Sequence, residues 1–220
     1  MANIKALIFD LDGVLVDTAI YHYKAWKRLA NHLGFDFTEE ENEKLKGVSR
    51  VRSLELILEW GGVSKSVEEQ KHLADLKNSW YVDMIQEMQP DEILPGAKEF
   101  LEAARAAGLK TALGSASKNS ETILQKVGLT HLFDVIIDGN KVSASKPDPE
   151  VFLKGAEALK VNAKNCIVFE DSPKGVESAL RAGMKAVVIK TYHEVHEFDH
   201  LPNVLFFIDD YTDERLNTLL

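Results

Sequence analysis

Apolar and polar positions follow two different rhythms along this chain. Ala6-Leu7-Ile8-Phe9 is short, apolar and partly β-branched, which suits a strand buried in a parallel sheet better than an amphipathic helix. From Leu94-Pro95-Gly96 onward such runs alternate with helical patterns. A helix through Phe100, Leu101 and Ala104 stops near Gly108, and a strand over 110–113 follows. Next come a helix over 119–127, a strand over 135–137, a helix over 149–159 and a strand over 166–169. A helix over 174–182, a strand over 186–189 and a last apolar run over 204–208 complete the series. Strand and helix alternating at this spacing predict crossover units and a parallel sheet. The expected fold class is therefore α/β, a doubly wound parallel sheet with a Rossmann-like core.

The stretch 18–89 has another texture, with long amphipathic patterns, no strand run and all three tryptophans, Trp26, Trp60 and Trp80. Tyr23, Trp26, Leu29, Ala30 and Leu33 recur at helical spacing before Gly34, and Leu54, Ile57 and Leu58 repeat the pattern before Gly61-Gly62. It predicts a small helical cap domain inserted after the first strand. The expected division is a core of 1–16 with 92–220 and a cap of 17–91, joined by short hinges near 14–18 and 90–95.

Composition narrows the function classes. In 220 residues, 45% apolar and 28% charged are ordinary fractions for a globular protein, and the net charge of -9 argues against a general polyanion-binding surface. No nucleic-acid partner is expected, and any phosphate site must be local. Without a basic leader or a run long enough to span a bilayer, the chain is expected to be cytoplasmic, with no membrane partner. The single cysteine, Cys166, precedes Ile167-Val168-Phe169 and reads as a small buried strand residue.

Candidate chemistry lies at the predicted strand ends, where the loops of open α/β sheets form the ligand crevice. Asp10-Leu11-Asp12-Gly13 places two carboxylates two residues apart where the first strand stops, although an isolated acidic turn would read the same way. Gly114-Ser115-Ala116-Ser117-Lys118-Asn119 offers hydroxyls, backbone N–H groups and a helix start to an anion, and Ser117 or Asn119 could equally be a helix cap. In Ser145-Lys146-Pro147-Asp148-Pro149 the prolines fix the backbone around a lysine. Phe169-Glu170-Asp171 ends an apolar strand in two acids, a costly burial that a hard divalent cation removes. Asp10, Glu170 and Asp171 would supply such a site for Mg²⁺.

Taken together, Asp10-Leu11-Asp12-Gly13, Ser115, Lys146-Pro147 and Glu170-Asp171 resemble the four motifs of the haloacid-dehalogenase-like phosphotransferase superfamily, in order and over essentially the whole chain. The resemblance implies that Asp10 is a nucleophile forming an aspartyl-phosphate, making the protein transiently a phosphoprotein. It implies that Asp12 is the general acid and base, with its carbonyl a fourth metal ligand beside Asp10, Glu170 and Asp171. Lys146, Ser115 and the backbone amides around Leu11 and Ala116 would meet the transferring phosphate. Dehalogenases lack the second acid and the metal.

The insert resembles the cap of the β-phosphoglucomutase branch of that superfamily, through His22-Tyr23-Lys24-Ala25-Trp26, Lys46-Gly47-Val48-Ser49-Arg50, Lys77-Asn78 and Ser115 to Asn119. By that resemblance Arg50 grips the phosphate not being transferred, with Ser117 and Asn119 assisting. Lys46, Gly47, Val48, Ser49 and Lys77 match positions around the sugar and the cap–core contact. His22 matches one that helps hold Asp12, and Trp26 belongs to the same substrate-side stretch, although its spacing makes it cap core. Without the resemblance, His22 reads as a packing histidine and Arg50 as a solvated cation. The implied reaction interconverts β-D-glucose 1-phosphate and D-glucose 6-phosphate through the 1,6-bisphosphate. The alternatives are a sugar-phosphate phosphatase on the same core and a silent sugar-phosphate-binding protein. Sugar phosphates are the expected partners, and a monomer is the default expectation.

Overall fold

The first strand, β1 (Ala6–Phe9), is fully buried, and its neighbours in the sheet come from far along the chain. The computed structural model describes residues 4–45 and 48–220; Lys46 and Gly47, both expected near substrate, lie outside the described residues. After β1 the chain forms α1 (Ala19–His32), α2 (Glu39–Glu43), α3 (Arg50–Trp60) and α4 (Val67–Ile85). The alternating part follows as α5 (Ala97–Ala106), β2 (Lys110–Gly114), α6 (Ser120–Val127), β3 (Val135–Ile137) and α7 (Glu150–Leu159). It continues through β4 (Cys166–Glu170), α8 (Pro173–Arg181), β5 (Lys185–Ile189) and β6 (Val204–Ile208).

All six strands are parallel, in the order β3-β2-β1-β4-β5-β6. This is the doubly wound order in which the winding reverses between β1 and the strand beside it, so the carboxyl ends of β1 and β4 flank the crevice where ligands bind. The register sets Phe9 opposite both Leu113 and Phe169. The three loops that follow these residues therefore start at one level.

Contacts divide the chain into one unit of 1–17 with 88–220 and a second of 18–87. In the first, Ile8, Ala112, Phe152, Val168, Val176 and Val188 belong to one buried cluster between sheet and helices. In the second, Trp26, Leu29, Phe37, Leu54, Ile57 and Leu73 form a separate core. Each unit thus buries its own apolar face. The expected hinge at 14–18 is in part core: Val14, Leu15 and Val16 are buried, Val16 bridges Ile93, and the Leu94 N–H donates to the Leu15 carbonyl at 2.9 Å. The two connections are laced to each other there rather than loose. Cys166 is buried on β4, and burial pushes its thiol up to about 11, so it is an inert packing residue. Among the described residues, no helix is long and apolar enough to cross a membrane.

Candidate active site

Asp10 leaves β1 with its N–H bonded to the Phe169 carbonyl at 3.0 Å, which pins it beside the end of β4. Lys146, brought in on the loop before α7, places Nζ 3.1 Å from Asp10 Oδ2 and 2.6 Å from Glu170 Oε1. Glu170 is fully buried, so its charge must be met inside the protein. Its second oxygen, Oε2, accepts from the Asp171 N–H, the Ser172 N–H and the Ser172 hydroxyl, each at 2.9 Å. Ser172 in turn caps α8 by accepting from the Gly175 N–H at 3.1 Å. Glu170 is thereby seated at a helix N-terminus, where backbone N–H groups favour an anion.

Electrostatics separate the three acids. Burial raises Glu170, but Lys146 and the Ser172 donors more than reverse it and hold the group ionised. Burial pushes Asp10 up to about 7 against the pull of Lys146, with Glu170 and Asp12 adding to the rise. Asp171 is driven well above the usual carboxylate range by burial, then by Glu170 and Asp10. Lys146 is lowered by burial and raised by more through Asp10 and Glu170, so it stays charged. The balance leaves an excess of negative charge that one lysine does not cancel.

Asp10 Oδ1 is buried and has no hydrogen-bond partner among the described residues. Ligand atoms of Asp10, Glu170 and Asp171 lie within 4.8 Å of one another, a group that could hold a metal ion. The orphaned oxygen, the raised carboxyls and an all-oxygen donor set fit a hard cation such as Mg²⁺. Of the three, Asp10 and Asp171 have the oxygens least occupied by the protein, since Glu170 already serves Lys146 and the start of α8.

The loop after β2 is braced from behind by the segment after β3. Ser115 donates its N–H to the Ile137 carbonyl at 3.0 Å, and Gly139 donates to the Ser117 carbonyl at 3.0 Å. A Cβ on Gly139 would stand 2.2 Å from the Ala116 carbonyl oxygen, so only glycine permits this approach. Asn119 occupies the cap position of α6 without a side-chain cap bond, and the Ser117 hydroxyl accepts from the Asn119 N–H at 3.3 Å. Ser115 is buried, its hydroxyl accepting from the Ser117 N–H at 3.1 Å. Leu11 is buried, and its N–H is directed at Asp10 itself, where it lowers that carboxyl.

In the second unit, α1 and α4 bring His22 against Lys77, with His22 Nδ1 2.9 Å from Lys77 Nζ. The His22 ring stacks on Tyr81 at 4.2 Å, and the lysine ammonium stands 4.3 Å from the Trp26 ring centroid. Lys77 is only 2% exposed. Burial, then Arg50, brings it down to about 7. Burial, Lys77 and Arg50 hold His22 well below its ordinary range, so it is neutral and accepts from the lysine. Arg50 opens α3, is half-buried and is lowered by burial, while Asp75 and Tyr81 oppose this through their fields. Ser49 is exposed and caps α3, accepting from the Arg52 N–H at 3.4 Å, and the Val48 N–H donates to the Leu45 carbonyl. Trp26 is packed in the core of this unit, as its spacing predicts, and serves as the shelf for the Lys77 ammonium rather than as an open surface.

Several contributors went unread in the sequence. Ser172 and Gly175 seat Glu170, and a Cβ at Gly175 would fall 1.8 Å from Glu170 Oε1. A glycine in the first turn of a helix, where alanine is the better former, is the signal that could have revealed this. Gly139 carries a similar signal. Tyr211, beyond the last strand, stacks on Phe169 at 5.8 Å, beneath the strand end that presents Glu170.

Comparison with known proteins agrees with this geometry. A family model described as haloacid dehalogenase-like hydrolase matches residues 7–189. A β-phosphoglucomutase of Bacillus subtilis (strain 168) is 39% identical over 185 residues, covering 83% of this chain and 82% of that protein. A phosphorylated carbohydrates phosphatase of Thermotoga maritima is 32% identical over 198 residues, covering 89% of this chain and 87% of its own. The crystal structure of a β-phosphoglucomutase from Clostridium difficile superposes with a TM-score of 0.84 at 39% identity, over 98% of this chain and 96% of that one. The matched stretch runs from the strand that presents Asp10 through the one that follows the Glu170–Asp171 pair, and on that ground the chain belongs to the haloacid dehalogenase-like hydrolase family.

Proposed function

We propose that this protein is a β-phosphoglucomutase, moving a phosphoryl group between the C1 and C6 oxygens of glucose by way of Asp10. One observation carries the reading beyond phosphoryl transfer in general. The cap holds two cations, Arg50 and buried Lys77, and neither has a carboxylate ion-pair partner among the described residues. Burying an unpaired ammonium is costly, and a second phosphate on the substrate offsets that cost. A hydrolase of monophosphates has no need of a second anion site.

Asp10 attacks phosphorus, the bond from phosphorus to the sugar oxygen breaks, and Asp12 gives its proton to that oxygen. In the reverse sense Asp12 takes the proton of the incoming sugar hydroxyl as that oxygen attacks phospho-Asp10. Lys146 balances Asp10 before transfer and the phosphoryl oxygens after it, and Ser115 with the Leu11 and Ala116 amides orients those oxygens. Asp10, Asp171, Glu170 and the Asp12 carbonyl would hold Mg²⁺, which when bound supplies positive charge against the equatorial phosphoryl oxygens. Arg50, Ser117 and Asn119 hold the phosphate at rest. Lys77, fixed by His22, Trp26 and Tyr81, presents charge beside the sugar, with Lys46, Gly47, Val48 and Ser49 completing that side.

A second reading, a sugar-phosphate phosphatase, is favoured by the relative from Thermotoga maritima, a phosphatase of phosphorylated carbohydrates. Supplying β-glucose 1-phosphate with Mg²⁺ and a trace of the bisphosphate, while following glucose 6-phosphate and inorganic phosphate together, separates the two. Glucose 6-phosphate without phosphate release is the expected result. Inorganic phosphate as the main product would establish the phosphatase instead, and neither product would leave a binding protein.

A further inference from the structure

The turn that carries Asp12 is gripped by two side chains from the segment after β5, a stretch that no motif covers. Thr191 Oγ1 donates to the Gly13 carbonyl at 2.5 Å. The adjacent Tyr192 donates its hydroxyl to Asp17 Oδ1. Gly13 directly follows Asp12, and Asp17 closes the buried run Val14-Leu15-Val16, so the two bonds hold the turn at both ends. Inside it, the Gly13 N–H donates to the Val16 carbonyl at 2.8 Å and Asp12 bridges Val16.

The fit is close on the side facing the acids. Gly13 has φ +75°, and a Cβ there would stand 2.3 Å from Asp171 Oδ2 and 2.9 Å from Tyr192 Cε2. The backbone next to Asp12 is thus wedged between the metal-site carboxylate and the tyrosine ring. Burial, then Asp17, Asp171 and Asp12, raise the Tyr192 hydroxyl, which keeps its proton and remains a donor.

We propose that Thr191 and Tyr192 are positioning residues that aim Asp12 at the leaving oxygen, so that they govern transfer from alkyl phosphates, where a proton must be delivered. The inference rests on the reading of Asp12 as proton shuttle. When a sugar phosphate phosphorylates Asp10, the phosphorus–oxygen bond breaks and the departing oxygen takes the Asp12 proton to become a neutral hydroxyl. When 4-nitrophenyl phosphate does so, the phenolate leaves with the electron pair and needs no proton. Loosening the turn therefore costs the first reaction and spares the second.

The test compares wild type with Thr191→Val, Tyr192→Phe and Thr191→Ser, the last keeping the hydroxyl. In single turnovers with Mg²⁺, phosphorylation of Asp10 is followed from β-glucose 1-phosphate and from a series of aryl phosphates of graded leaving ability. The expected result for Thr191→Val and Tyr192→Phe is a loss of about 10-fold with the sugar phosphate, a fraction of what a general acid contributes. The 4-nitrophenyl phosphate rate should stay within about twofold, the loss should grow as the leaving group worsens, and Thr191→Ser should behave as wild type. Equal losses across all leaving groups would overturn the inference, because a general disturbance of Asp10 or the metal site acts on every substrate alike. A wild-type protein that releases no nitrophenolate would contradict the reading of Asp10 as nucleophile, without which Asp12 has no leaving oxygen to protonate, an outcome distinct from variants that slow equally with every leaving group.

Discussion

At the scale of single residues, the site is a set of buried charges held in opposition. Lys146 is 9% exposed and stands between Asp10 and Glu170, so removing it strands two acids. Lys146→Met should lower stability by about 3 kcal/mol or more in urea unfolding, as breaking one side of a buried pair does. Unchanged stability would mean that the acids are compensated elsewhere. Lys77 presents the opposite case, a buried cation with no acid paired to it among the described residues. Its value near 7 lies below the ordinary 10.5, so between those two pH values the unfolded chain binds a proton that the folded one does not, and stability rises with pH. The burial penalty is complete below pH 7. Lys77→Met should therefore be more stable than wild type at pH 6, on the order of a few kcal/mol, with a gap that narrows by pH 9. A gap independent of pH would contradict the account. That Asp10, Lys146, Glu170 and Asp171 come together was legible from sequence because each stands where an apolar run stops or prolines fix the chain. Their bracing partners were not: Thr191, Tyr192, Ser172 and Tyr211 act through contacts with residues distant in sequence or through helix geometry, which hydrophobic periodicity does not record.

At the scale of elements, the start of α8 is built around the Glu170 carboxylate. Glycine to alanine within a helix is ordinarily stabilising by roughly 0.5–1 kcal/mol. At Gly175 the sign reverses, because a Cβ there would lie 1.8 Å from Glu170 Oε1 and would push the carboxylate off Lys146 and Ser172. Gly175→Ala should lower both the melting temperature and turnover, and a stabilised, fully active variant would show that Glu170 is not seated as described. Under the strands, Phe9, Phe100, Phe169 and Tyr211 pack as one aromatic cluster, with ring centroids 4.5–6.4 Å apart. Tyr211→Ala should cost about 3–5 kcal/mol in urea unfolding as a large cavity opens beneath the site. A loss under 1 kcal/mol would place the ring outside the core. Strand positions were readable because each of these runs is short, apolar and bounded by turns. Helix α4 was harder, since Lys77 interrupts its buried face of Leu73, Ala74, Tyr81 and Ile85 and blurs the apolar stripe.

At the scale of the whole molecule, sequence rhythm announced a parallel sheet with a helical insert but not the order of its strands, because pairing between segments a hundred residues apart leaves no local trace. The order β3-β2-β1-β4-β5-β6 brings Asp10 beside Glu170 and Asp171 at the point where the winding reverses, and so explains why the chemistry collects there. In the proposed reaction phosphate moves through Asp10 and never to water. A single turnover of β-glucose 1-phosphate, labelled in its phosphoryl group, with unlabelled phospho-enzyme tests it most directly. Phospho-Asp10 first donates its own phosphoryl group to the C6 oxygen, and the labelled group then returns from C1 to Asp10. Unlabelled glucose 6-phosphate and label on the protein at Asp10 are the expected products; label in inorganic phosphate, or carried directly into glucose 6-phosphate, would contradict transfer through Asp10.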